Sequence, residues 1–418
     1  MAICFAFSDS LAMHILRRPN IGTFIRTASF LILFQTIYTT INSVFVGLDK
    51  TEFNTLIASI QASTKAGISI ILVILGMGIL GAIYGYVLSF IPAIILGASI
   101  LYKLYKSLYT DDGVLEGFSE SLKTLIRYGF PLYLSSLVLG LASQYQNILL
   151  TIFTSNMDIG NFKAAMNFTT LISIFSVPII TALLPAFSKL ELDPEKAKKF
   201  FQLSLKYTSI LILPVAILIS IYSEEIIKTI YGESYAEASF LLSLITIQYL
   251  WVGLGNLVLP SFFNGLGETK INFKITIINS AILIVSAPLL TWLFRTHGLI
   301  SAILISSFIS SLYSLYIAKT KFEIRLEPRN IARIYLVSFI PIIPIIIFKN
   351  ILPLTGLIQL ILGCLTYSIS YAFLIPLTKT ITMNELNDIK LAFYHTRLLR
   401  TLTKPIFYCE EKILSLMP

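Results

Sequence analysis

The chain has 418 residues, 56% of them hydrophobic and only 13% charged, with a mean hydropathy of +0.82. A soluble fold of this length needs more surface charge, so the composition excludes one and points to an all-α polytopic membrane protein. The net charge of +9 follows from where the loops carry Lys and Arg, and it calls for no nucleic-acid partner.

Residues 1–7 read as the end of a crossing. Residues 8–16, with Leu11, Ala12 and Ile15 on one face, read as a short interfacial helix. Apolar runs then follow at about 23–46, 54–75, 78–104, 126–152, 159–187, 200–222, 239–263, 272–294, 296–318, 331–348 and 352–377. Each suits a helix crossing a bilayer, where every backbone amide needs an internal partner, and together they predict about eleven transmembrane helices. The ten-residue alternation of a membrane β-barrel is absent. Beyond Leu377 the chain turns polar. Leu386, Ile389, Phe393, Leu398, Leu399 and Leu402, set among basic residues, predict amphipathic helices on the membrane surface, interrupted at Pro405.

If successive loops alternate sides, one side collects 23 of the 31 Lys and Arg residues and the other 7, while Lys65 falls inside a crossing. The positive-inside rule puts the richer side, and the C-terminus, in the cytoplasm of a cell-membrane protein. Cys4, Cys364 and Cys409 are scattered, and His14, His297 and His395 stand apart. They suggest neither a disulfide framework nor a metal cluster, and there is no nucleotide-binding loop; no cofactor is expected.

Internal echoes organise the chain. Gly47-Leu48-Asp49-Lys50-Thr51 matches Gly265-Leu266-Gly267-Glu268-Thr269, and Gly78-Ile79-Leu80-Gly81-Ala82 matches Gly298-Leu299-Ile300-Ser301-Ala302. Phe7-Ser8-Asp9 matches Tyr222-Ser223-Glu224. The offsets are all roughly 215–220 residues, the signature of a duplicated bundle. The expected organisation is an incomplete first lobe at 1–105, a six-crossing lobe at 123–318, two extra crossings at 331–377 and a cytoplasmic tail at 379–418. On this arithmetic the first lobe lacks its beginning, and roughly 90–100 residues with two more crossings are expected upstream.

Several segments resemble a known family: Tyr128-Gly129-Phe130-Pro131-Leu132, Asp158-Ile159-Gly160-Asn161-Phe162-Lys163-Ala164-Ala165, Pro178 and Leu184-Pro185-Ala186-Phe187-Ser188. Ile230-Tyr231-Gly232 with Tyr235 and Ala238, and Asn264-Gly265-Leu266-Gly267, extend the set. In order and spacing they resemble the polysaccharide flippases of the multidrug/oligosaccharidyl-lipid/polysaccharide exporter superfamily. The resemblance covers residue 1 to about 377. It implies two six-helix lobes, often with two additional C-terminal helices, that rock to move lipid-linked oligosaccharide across the membrane. It also implies membrane lipids and glycan-assembly enzymes as partners. Where many relatives carry an acidic residue, this chain has Gln146-Asn147, which argues against proton coupling through that position.

A lipid-linked oligosaccharide presents a phosphate and a hydroxylated head that cannot cross hydrocarbon, so its carrier needs a wet, partly cationic cavity. A charge inside a crossing costs about 2.5–3.5 kcal/mol on insertion scales and is a functional suspect for that reason. Lys65 is the first candidate, on a helical face with Ala58, Gln61 and Ser69; the alternative is a lysine paired with a carbonyl in a helix interface. Lys163, Asn167 and Thr170 share a second face, although Lys163 is close enough to its helix end to snorkel to the surface. Gln144 and Asn147 belong to an unusually polar segment that either lines the cavity or bonds to neighbouring helices. Arg127, at a crossing end, is a substrate contact or an ordinary anchor. Two other functions remain: a cation-coupled multidrug exporter of the same architecture, and a membrane glycosyltransferase or polymerase. The last would need a sizeable external loop. An inactive truncated remnant is the further alternative.

Overall fold

The computed structural model describes residues 1–15, 21–108, 117–351, 356–394, 407 and 410–412; most of the tail beyond Tyr394, with Leu398, Leu399, Leu402 and Pro405, lies outside them. Among the described residues the chain is helical and has no strand. It divides into two compact units, Met1–Ser121 and Leu122–Pro418.

In the first unit, α1 (Ala2–Ala6) and α2 (Ser8–Ser10) lead through a π-type turn, Leu11–Ile15, to α3 (Gly22–Gly47). Then α4 (Thr51–Leu72) and α5 (Gly78–Leu108) form a hairpin about a π-type turn, Val73–Met77. Helix α6 (Phe118–Phe153) leads into the second unit, followed by α7 (Asn156–Ser188), α8 (Pro194–Ile221), α9 (Ser223–Tyr231) and α10 (Ala236–Thr246). A 3-10 segment, Ile247–Leu254, connects α10 to α11 (Leu259–Gly265). Next come α12 (Thr269–Phe322), α13 (Pro328–Phe339), α14 (Ile342–Ile351), α15 (Gly356–Leu377) and α16 (Met383–Tyr394).

Nine helical stretches among the described residues are long and apolar enough to cross a bilayer. Two of them, 51–106 and 269–322, are double. A 54-residue helix would run about 80 Å, far more than a bilayer core of about 30 Å. Arg295, at φ 52° and ψ −132°, folds α12 back on itself. Seven single and two double stretches make the eleven crossings that the apolar runs predict.

Burial is the reverse of a soluble protein's. Large apolar side chains such as Val285 (79% exposed) and Ile74 (78%) point outward, where lipid would solvate them. Helix interfaces instead bury small hydroxyls, among them Ser204, Thr208, Ser306, Ser310 and Ser314. Small residues let backbones approach closely where burial of apolar area gives no driving force. The cores are still dense: Phe187, Phe201, Phe262 and Phe263 are fully buried and pack largely edge to face.

Two crossings are not the continuous helices that their apolar runs suggest. The run at 239–263 narrows to a 3-10 helix and breaks at Gly255, which is left-handed (φ 86°), before α11 starts around Pro260. Gly253 and Gly255 weaken the α-helix there, and Gly253 gives room to the Tyr335 ring. The run at 331–348 breaks at Ile340–Pro341, where proline supplies no amide hydrogen.

The repeat is visible in the backbone itself. After α3, Lys50 N donates to Phe45 O (2.8 Å) and Asp49 is left-handed at φ 57°. After α11, Glu268 N donates to Phe263 O (2.8 Å) and Gly267 is left-handed at φ 74°. Phe7 has φ −98°, ψ 16° and Tyr222 has φ −99°, ψ 17°. The echo at Gly78 needs a correction. Gly78 (φ 52°, ψ −131°) has the conformation of Arg295 (φ 52°, ψ −132°), so the structural partner of Gly78 is Arg295, not Gly298. Gly298 corresponds to Gly81: a Cβ on Gly81 would lie 2.9 Å from the Leu72 carbonyl oxygen, and one on Gly298 would overlap that of Leu290.

Candidate functional site

In the second unit the polar residues of α6 and α7 come together because the start of α7 is tightly determined. Ser155 caps the helix by accepting from Asp158 N (3.2 Å), while the Asp158 carboxylate accepts from Ser155 N (3.0 Å). This reciprocal capping box fixes where the first turn begins. One turn on, Asn161 donates to Met157 O (3.1 Å) and accepts from Ala238 N (3.2 Å), tying α7 to α10. Phe162, Ala164, Ala165 and Phe168 are then buried, and the intervening Lys163, Asn167 and Thr170 are left exposed along one face. Spacings of four and three residues put these three above one another.

The Lys163 ammonium donates to Asn147 Oδ1 at 2.6 Å. Asn167 Nδ2 donates to the Tyr231 hydroxyl at 3.3 Å. Tyr231 itself is braced by edge contact with Phe168 (5.7 Å) and by Tyr235 (5.1 Å). The result is a cluster of one cation, two amides and a phenol contributed by α6, α7 and α9. Among the described residues no carboxylate lies within ion-pairing distance of Lys163. Gln144 is exposed about one turn along α6 from Asn147, and Thr170 is exposed one turn from Asn167. Arg127 is not part of the cluster: it lies 20 residues before Asn147 on α6, about 30 Å along the helix axis. Tyr231 is the member that sequence reasoning missed as a site residue. It belongs to a quoted motif, but nothing in the motif reveals its contact with Asn167.

In the first unit, Gln61, Lys65 and Ser69 line the seam between α4 and α5. Gln61 Nε2 donates to Ser89 Oγ (2.9 Å), Ser69 Oγ donates to Ala82 O (3.4 Å), and Gly85 leaves room for Ser69. Lys65 is exposed, with its ammonium 4.0 Å from the centre of the Tyr86 ring. An aromatic face attracts a cation without neutralising it.

Other motifs of the family set perform a different task. Tyr128 donates to Asn264 O (2.8 Å). A Cβ on Gly265 would lie 2.5 Å from Phe187 Cβ and 2.9 Å from Leu184 O. The motifs at 128–132, 184–188 and 264–267 thus hold one another at one helix junction, and Asn161 holds α7 to α10. These three are framework, whereas Lys163 and Tyr231, which belong to two other motifs of the set, take part in the polar cluster.

Residues 1–240 match the family described as "Polysaccharide biosynthesis protein". An uncharacterised membrane protein of Methanocaldococcus jannaschii is 24% identical over 311 residues; the match covers 73% of this chain and 60% of that protein's length. Solved structures with the same fold include an inward closed conformation of the lipid II flippase MurJ (TM-score 0.60, 19% identity, 85% of this chain and 74% of that chain). A MOP-superfamily transporter from Pyrococcus furiosus, whose binding pocket is described as having reversed polarity, has a TM-score of 0.65 at 18% identity, covering 76% and 74% of the two chains. An outward-facing multidrug-resistance MATE transporter has a TM-score of 0.66 at 17% identity, covering 77% and 75%. The chain belongs to the polysaccharide biosynthesis protein family and has the fold of the MOP-superfamily transporters.

Proposed function

We propose that the protein is a flippase that moves a polyprenyl-phosphate- or pyrophosphate-linked oligosaccharide across the cell membrane by alternating access. The observation that carries this reading is the state of Lys163. It lies on a crossing helix, its ammonium is held by the neutral Asn147 amide, and no described carboxylate cancels its charge. A cation kept in that form suits an anionic phosphate, whose binding offsets the cost of desolvating the lysine. The neighbouring Asn167, Thr170 and Gln144 supply donors and acceptors for sugar hydroxyls, and Tyr231 offers an aromatic face beside them. Lys65, poised on Tyr86, provides a second cation on the same logic. Family membership in polysaccharide biosynthesis supports the glycan. The protein carries its substrate and does not transform it; its C-terminus is cytoplasmic and its partners are the enzymes that assemble the glycan. Export of small organic cations fits less well, because both lysines would repel them.

The test is reconstitution into liposomes. A fluorescent polyprenyl-pyrophosphate oligosaccharide should change leaflet only when the protein is present, and a small organic cation should not be transported. Transport of the cation without movement of the lipid-linked sugar would overturn the proposal in favour of a multidrug exporter.

A further inference from the structure

A second polar site lies in the larger unit, away from Lys163. Helix α7 starts beside Lys163 and runs 33 residues before α8 begins at Pro194, so the first turns of α8 are at the opposite end from that cluster. There a cleft of about 350 Å³ opens between α8, the 323–327 segment, α13 and α16. Lys199, Lys206 and Arg325 line it, with leucine and isoleucine side chains between them. Gln202 Nε2 donates to Arg325 O (3.2 Å) and holds that segment against α8.

The charges in the cleft are unequally satisfied. Lys206 is bound by both Glu385 oxygens (2.7 and 2.8 Å), each partner less than one-fifth exposed. The other carboxylate, Glu327, accepts from the Asn330 amide. Lys199 and Arg325 have no carboxylate within ion-pairing distance among the described residues. Ser209 in the lining is 1% exposed, and its hydroxyl has no hydrogen-bond partner. A buried hydroxyl without a partner is rare, because it forfeits its solvation without return. Two cations outside any direct ion pair and an unsatisfied hydroxyl together suit a tetrahedral oxyanion, and basic clefts between membrane helices hold phosphate headgroups.

We propose that this cleft binds an anionic phosphate, presented by a lipid headgroup or free in solution, and that Glu385 competes with it for Lys206. Because Glu385 also accepts from Thr382 N (2.8 Å) and Thr382 Oγ (2.9 Å) at the start of α16, occupancy of the cleft loosens the hold of α16 on α8.

The test is native mass spectrometry of the purified full chain with added phosphatidylglycerol or phosphatidylcholine, with inorganic phosphate as competitor. Wild type should retain phosphatidylglycerol about tenfold better than phosphatidylcholine. Lys199→Gln combined with Arg325→Gln should remove that preference. Glu385→Gln, which frees Lys206, should strengthen retention severalfold, a gain that misfolding cannot imitate. If inorganic phosphate alone stabilises the protein against heat, in a way lost in the double variant, free phosphate is the source. Equal retention of the two lipids by wild type, with no response to phosphate, would overturn the proposal. So would an unchanged preference in both the double variant and Glu385→Gln.

Discussion

The hairpin of α4 and α5 in the first unit and the hairpin inside α12 in the second share a backbone and differ in what lines it. Their turns agree within a degree at Gly78 and Arg295. Counting 218 residues on from the first hairpin, Gln61, Lys65 and Ser69 fall on Asn279, Leu283 and Ala287. In the first unit these positions carry an amide, an exposed cation and a hydroxyl along a helix seam. In the second, Leu283 and Ala287 are buried in the core at 4% and 0% exposure. Position in the repeat therefore determines the chain path, and the side chains decide whether a hairpin becomes scaffold or polar surface. Charge is asymmetric between the two hairpins although their turns share a backbone conformation.

Exchanging the two hairpins' chemistry should break this comparison most severely. Leu283→Lys buries a cation without a partner and should cost about 3–5 kcal/mol, seen as a large fall in the detergent-solubilised melting temperature. Lys65→Leu removes only the contact with Tyr86 and should cost about 0.5–1 kcal/mol. Equal losses from the two substitutions would mean that the hairpins are not the different environments described here.

Close approach within each hairpin gives the next effect. A Cβ at residue 298 meets the backbone carbonyl of Leu290, which cannot swing away as a side chain can. Gly298→Ala should therefore destabilise by about 3 kcal/mol and Gly81→Ala by about 1 kcal/mol. Thermal unfolding of the two variants side by side reads the difference, and a reversed order would contradict the correspondence of Gly81 with Gly298.

The turns themselves sharpen the comparison further. With φ positive and ψ near −130°, a residue with a Cβ is strained by about 1–3 kcal/mol. Arg295 bears this strain and Gly78 avoids it. Arg295→Gly should raise the melting temperature slightly, and Gly78→Ala should lower it; the same sign for both would show that the two turns are not equivalent.

A smaller effect depends on pH and on the second unit alone. Burial raises the Glu385 pKa, but the hydrogen bonds from Lys206 and Thr382 outweigh it and leave the group below its ordinary 4.5. A depressed carboxylate stabilises the fold above its unfolded value, and the contribution is lost as pH falls through the folded value. Unfolding temperatures should thus hold down to about pH 4.5 and decline below it, with a shallower decline in Glu385→Gln. An identical decline in that variant would remove Glu385 from the acid response.

Much of this architecture was legible in the sequence because lipid imposes a simple rule: an apolar run of about 20 residues must become a helix. The eleven crossings follow from it. The break at Gly255 was not legible, since Ile247–Leu254 is as apolar as its neighbours and the 3-10 geometry leaves no compositional trace. The echo at Gly78 was misaligned by three residues because Gly and Ile recur every few positions in such helices, and the dihedral angles of Gly78 and Arg295 resolve the register. Lys65 could be singled out from its depth in a crossing, and Lys163 from the polar helical face it shares with Asn167 and Thr170. The contact of Lys163 with Asn147 on the preceding helix and the bond from Asn167 to Tyr231, 64 residues away, depend on how α6, α7 and α9 pack.

The most direct test of the account is leaflet exchange of the fluorescent lipid-linked oligosaccharide by liposomes carrying the Lys163 and Lys65 variants. If uncancelled cations grip the phosphate, Lys163→Ala and Lys65→Ala should each slow exchange at least about tenfold, while Lys163→Arg and Lys65→Arg retain part of it. Insertion and folding should survive, because losing an intramembrane charge eases insertion. Wild-type exchange by well-inserted Lys163→Ala and Lys65→Ala proteins would contradict the account and leave both lysines as structural residues.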